Sequence, residues 1–160
     1  GLERVEAMAG AGQRLIGLTI GSEDFSADAG MEPTARNLFQ PCQRIVFAAR
    51  AAGILAYGFP GSIAEYGDLA GYRRQTGEGR SMGFDGAFCI HPSQVPVLNE
   101  VFSPTPAELE EARAVVAAFD AALAGNRGAA TLDGRMIDLP VVRRAQALIA
   151  RGNRIAPSGA

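Results

Sequence analysis

Lysine is missing from this 160-residue chain, whose basic residues are fifteen arginines and one histidine. That absence excludes a Schiff-base mechanism and a phosphate-loop lysine, since both need the ε-amine. Tryptophan is also absent. Cys42 and Cys89 lie far apart, without zinc-knuckle spacing, and His91 is the lone histidine. A nitrogen- and sulfur-rich metal centre is thereby disfavoured, which leaves oxygen ligands and a hard cation such as magnesium. The apolar runs are short and broken by Gly, Arg or Asp, well below the roughly 20 residues of a membrane-spanning helix. A net charge of −2 and scattered arginines argue against nucleic acid as a partner. Gly1-Leu2-Glu3-Arg4 is acidic and helix-like rather than a basic lead into a signal sequence, so a cytoplasmic location is expected.

The residues present are those of a globular protein, 48% apolar and 20% charged. Strand-like and helix-like segments alternate through the first hundred residues, the pattern of a parallel sheet with crossover helices. Residues 2–9 read as the end of a helix, and 15–20 as a strand buried on both faces because both are apolar. A helix from about Asn37 to Ala52, with Pro41 inside it, should stop at Gly53. Strand 54–57, helix 63–82 and strand 84–90 follow, so about three β/α units are visible.

The remaining third reads as helical. Thr105-Pro106-Ala107-Glu108 is a capping box with proline at the first helical position. Leu109, Ala112, Val116, Phe119 and Leu123 then recur at helical spacing as one apolar face. Residues 125–134 read as a loop or short hairpin, and a last helix should run from Pro140 to about Ala150, ahead of a disordered tail at 157–160. These signals divide the chain into 1–102, a β/α part, and 103–160, a helical carboxyl-terminal extension.

Gly21-Ser22-Glu23-Asp24 stands at the carboxyl end of the first strand, where an unpaired acid is costly unless it has a use. Asp24 is therefore a candidate metal ligand, with a helix cap as the plainer alternative. Asp138, just before the proline-led helix, is open to the same two readings, acid–base group or cap. His91, between a strand and a proline, is read as orienting rather than catalytic. Arg73, Arg74, Arg143 and Arg144 are read as solvated helix faces.

Taken in order, Gly21–Asp24 with Asp28 and Gly30, Met82-Gly83-Phe84-Asp85-Gly86 followed by Ile90-His91-Pro92-Ser93-Gln94, Phe102–Pro106, and Leu132–Pro140 resemble the citrate lyase beta-subunit-like family, which includes malyl-CoA and citramalyl-CoA lyases of the HpcH/HpaI aldolase superfamily. The resemblance runs along nearly the whole chain but covers only the carboxyl-terminal part of the family's own. It implies part of a (β/α)8 TIM barrel with a helical extension. The implied reaction is magnesium-dependent Claisen-type cleavage of a 3-hydroxyacyl-CoA thioester to acetyl-CoA and a keto acid. By position, Asp24 matches one of the family's two metal carboxylates, and the amides of Gly21, Ser22, Glu23 and Asp24 would receive the keto-acid carboxylate. Ile90 and Pro92 match a segment near the CoA adenine. Asp138 matches the acid–base carboxylate, which implies a homo-oligomer, such as a trimer, in which it acts in a neighbouring subunit. The family's other metal carboxylate and its enolate-stabilising arginine match nothing in these residues, and Gly58 stands where relatives often carry aspartate. Two alternatives stay open: a metal-dependent aldolase acting on free pyruvate, and an inactive half-barrel with a binding or structural role.

Overall fold

The computed structural model describes residues 1–64 and 66–155. The chain divides into two compact units, Gly1–Phe102 and Ser103–Ala160, each with a core of its own.

The first unit opens with a 3-10 turn, Leu2–Arg4, that runs into α1, Val5–Ala9. Strand β1, Gly17–Thr19, leads through Ile20-Gly21 into α2, Ser22–Ala29. The long helix α3, Ala35–Ala52, is capped by the Thr34 hydroxyl, which accepts from Asn37 N at 3.3 Å. It ends on Gly53 in the left-handed region, φ 70°, as the sequence suggests. Pro41 is buried inside this helix and costs one backbone hydrogen bond. Strand β2, Leu55–Tyr57, α4, Leu69–Met82, and α5, Gln94–Phe102, complete the unit.

β1 and β2 pair in parallel, Gly17 opposite Leu55 and Thr19 opposite Tyr57. One face of this pair carries Leu18 and Ala56 into a core formed with Leu38, Ile45, Val46 and Ala49 of α3. The other face is open: Thr19 is exposed and Leu55 is 39% exposed. The expected burial of 15–20 on both faces is thus corrected, Ile16 being 74% exposed, because helices cover only one side of the sheet.

The expected third strand, 84–90, contracts to one parallel bridge between Tyr57 and Gly86. Gly58 N donates to Gly86 O at 2.9 Å and Asp85 N to Ala56 O at 2.8 Å, after which the chain leaves the sheet. No strand among the described residues lies beyond it to extend the ladder, and an extended segment needs such a partner. The expected helix over 63–82 starts later, where Asp68 caps Gly71 N at 2.8 Å. α5, which follows a short turn after Ile90, was not separately legible.

The second unit is a helix pair with a hairpin between. α6, Pro106–Ala124, carries the complete capping box: Thr105 Oγ1 accepts from Glu108 N, and Glu108 Oε2 accepts from Thr105 N at 2.7 Å. β3, Ala130–Leu132, and β4, Arg135–Ile137, are antiparallel and joined by Asp133-Gly134, both at positive φ, a hairpin turn suited to that dipeptide. α7, Leu139–Ile155, is longer than expected. The buried stripe of α6 is Ala112, Val115, Phe119 and Ala122, packed with Ile137, Val142 and Ala145. Leu123, expected on that stripe, is 52% exposed; both sets keep helical spacing, and packing against α7 and the hairpin turns the face of 112, 115, 119 and 122 inward. The expected disordered tail, 157–160, lies outside the described residues. Among the described residues no helix is long and apolar enough to cross a membrane.

Candidate active site

In an open parallel sheet, ligands settle at the carboxyl ends of the strands. There β1 delivers Gly21, the N-cap residue of α2, in extended geometry with φ −76° and ψ 96°. Glycine has no side chain to cap the helix, and no side-chain cap bond is made. The first-turn amides of Ser22, Glu23 and Asp24 precede the first helical bond, Phe25 N to Gly21 O at 2.9 Å. Such a helix start favours an anion.

Asp24 and Glu23 occupy this first turn. Side chains of a helix lean toward its N-terminus, and Asp24 Oδ2 accordingly reaches back to within 3.3 Å of where a Cβ on Gly21 would stand. The carboxylate is exposed. No side-chain cap bond is made at Gly21, and Asp24 stands as an acid in the first turn of α2.

A cavity of about 340 Å³ opens beside it, at the lower end of small-molecule sites, about 300–1,000 Å³. Thr19 through Asp24 line it together with Phe59, Gly61, Ile63 and Phe88. The structure therefore brings together Gly21, Ser22, Glu23 and Asp24. It does not bring Ile90 or Pro92 into this cavity. Both are exposed in the turn before α5, where Gln94 Oε1 accepts from Ile90 N at 2.9 Å and His91 N at 3.2 Å. His91 stacks on Tyr66, ring centroids 4.8 Å apart, with Nδ1 2.8 Å from Ser93 Oγ. Arg73, Arg74, Arg143 and Arg144 are exposed, and Arg73 pairs with Glu100.

Asp138 belongs to the second unit and precedes α7, where Oδ1 accepts from Val141 N at 3.3 Å. Its carboxylate is half-buried and acts as a cap in this structure.

The residues that sequence reasoning missed are apolar. Ile63 and Phe88 fell inside an expected helix and strand, so nothing marked them as cavity walls. Tyr72 sits beneath both segments: its ring meets Phe59 edge-on at 5.4 Å, and its hydroxyl donates to Phe88 O at 3.1 Å. Burial pushes its phenol up to about 12, with a lesser contribution from Cys89. Cys42, whose thiol donates to Phe59 O at 3.6 Å, is likewise raised to about 12, by burial first and by Glu78 second.

Among the described residues no three His, Cys, Asp or Glu side chains cluster as a metal site. The donor set nevertheless fits a share in a magnesium site, because that ion takes one or two carboxylates and completes its shell with water and substrate oxygens. Asp24 supplies an accessible carboxylate at the cavity, with Glu23 next to it.

Residues 1–92 match the family model HpcH/HpaI aldolase/citrate lyase, and the chain belongs to that family. It is 36% identical over 154 residues to citrate lyase subunit beta of Escherichia coli strain K12, covering 94% of this chain and 50% of that protein. It is 31% identical over 174 residues to the L-malyl-CoA/beta-methylmalyl-CoA lyase of Cereibacter sphaeroides, covering 97% of this chain and 54% of the lyase. The chain spans about half the length of these curated relatives. Among solved structures it resembles the protein CitE of Mycobacterium tuberculosis in complex with magnesium, acetoacetate and coenzyme A, with a TM-score of 0.78 and 29% identity over 96% of this chain and 57% of that one.

Proposed function

We propose that this chain supplies the carboxyl-terminal part of a (β/α)8 barrel, about three β/α units with a helical extension, and with it half of a carbon–carbon lyase site. The reaction is cleavage of a 3-hydroxyacyl-CoA thioester to acetyl-CoA and a keto acid. The observation that carries the reading is an uncapped helix N-terminus and an accessible carboxylate, Asp24, on one cavity at the ends of two parallel strands. The kinship with lyases and with a magnesium- and CoA-bound neighbour supports it.

The Ser22, Glu23 and Asp24 amides would receive the keto-acid carboxylate, placing the breaking bond beside Asp24. Asp24 would hold magnesium, which when bound supplies Lewis acidity to the oxygen of that bond. When the C2–C3 bond breaks, the substrate hydroxyl loses its proton as it becomes a ketone, and the thioester enolate carbon must gain one. Asp138 is the acid–base group proposed, which as a carboxylate would take the hydroxyl proton and return it to the enolate carbon, acting in a neighbouring subunit of a homo-oligomer such as a trimer; its Oδ2 is free of the bond that Oδ1 accepts from Val141 N. The turn at Ile90 and Pro92, with the His91–Tyr66 stack beside it, would meet the CoA adenine. A cytoplasmic location would suit substrates of this kind.

The test is acetyl-CoA release from citramalyl-CoA or malyl-CoA by this chain joined to a complementary barrel half. Turnover should stop when EDTA removes magnesium. Asp24→Ala and Asp138→Ala should each lower it by about a hundredfold or more. Unchanged turnover in both variants would end the proposal.

A further inference from the structure

The cavity beside Asp24 has a chemically mixed lining. The anion-attracting amides and the two carboxylates lie along Ser22–Asp24, whereas Phe59, Ile63 and Phe88 add apolar surface to the lining, and among the described lining residues only Glu23 and Asp24 are charged. Phe88 lines the cavity and is 58% exposed, so its ring is accessible to a ligand seated there.

We infer that Ile63 and Phe88 are specificity-determining residues, favouring a 2-oxo acid that carries an alkyl chain over the two-carbon glyoxylate. The inference rests on the lyase reading above. With the acid's carboxylate on the Ser22–Asp24 amides, its far end points across the cavity toward hydrocarbon.

This wall is held in place from behind. Tyr72 supports Phe59 with its ring and the Phe88 backbone with its hydroxyl. The Phe88 ring rests on Tyr57 at 5.5 Å. Beneath the loop, a Cβ on Gly79 would stand 2.8 Å from both Gly58 O and Phe59 Cβ, so α4 packs closely against the loop there with no room for a side chain at 79. Tyr72 is a positioning residue for the wall; Ile63 and Phe88 are the surfaces the alkyl group meets.

Isothermal titration of this chain joined to the complementary barrel half, in magnesium chloride, with glyoxylate, pyruvate, 2-oxobutyrate and 2-oxovalerate tests this directly. Each methylene buried against the wall should tighten Kd by about threefold to fourfold, at least as far as 2-oxobutyrate. In the Ile63→Ala/Phe88→Ala double variant the preference for 2-oxobutyrate over glyoxylate should fall to about one. Phe88 is exposed, so its truncation opens no core cavity, and the wild-type series stands as a test without any variant. Equal Kd values across the wild-type series, or a preference that survives the double variant, overturn this inference and leave the lyase reading intact. Failure of every acid to bind overturns the reading of the site itself.

Discussion

Asp85 closes the sheet with its side chain. Oδ2 accepts from Ala56 N at 2.9 Å, its own N–H donates to Ala56 O, and Oδ1 accepts from Arg50 at 3.0 Å. Arg50 also donates to Gly83 O at 2.6 Å, so a single carboxylate ties β2, α3 and the turn after α4. Ala56 is fully buried, and a buried N–H left without an acceptor costs about 1–3 kcal/mol. We predict that Asp85→Ala lowers unfolding free energy by about that amount in urea denaturation, and that Asp85→Asn, which keeps an acceptor, loses less. Equal losses for the two would show that the charge, rather than the acceptor, matters. The same Met82–Gly86 motif that suggests a family in the sequence therefore holds the fold, whereas Asp24, six residues past the centre of β1, stands exposed at the cavity.

Among the elements, α6 shows how far local signals reach. The capping box at Thr105–Glu108 satisfies two amides with groups three residues apart, so neighbouring residues alone specify it. Replacing Thr105 with alanine should cost about 1 kcal/mol, read as a lower denaturation midpoint. Restoration by Thr105→Ser would tie the loss to the hydroxyl, and no change in Thr105→Ala would remove the cap from the account. Gly53 as the stop of α3 was legible for the same reason. The span 84–90 was not: its composition suits a strand, but a strand exists only where another pairs with it, and the ladder stops at Gly86. The α6 stripe was misjudged by small phase errors, since Val115 and Val116 are equally apolar and only packing on α7 and the hairpin selects Val115.

Across the whole molecule the alkaline limb of stability belongs to one unit. Every cysteine and tyrosine lies in residues 1–102. Folding raises Cys42 from 9.0 to about 12 and Tyr72 from 10.0 to about 12. Between those values the native state holds protons that the unfolded chain has released. Stability is therefore complete below pH 9, and falls as pH rises toward about 12. Denaturation followed by circular dichroism from about pH 8 to 11 should show this decline, and Tyr72→Phe should make it shallower. A flat profile, or one unchanged by that substitution, would mean these groups do not govern the alkaline limb.

By itself the sequence determined the chemistry on offer: no lysine, a lone histidine and two distant cysteines, the helix caps, and the order of motifs that places the chain in its family. These follow from residue identity and from groups a few positions apart. Only the tertiary structure decided that Gly21–Asp24 shares a cavity with Ile63 and Phe88, that Ile90 and Pro92 stand outside it, and that Asp138 caps α7. The physical reason is that a cavity wall is defined by side chains meeting across long sequence separations, and a pattern of period two or 3.6 carries no record of which distant segment will face it.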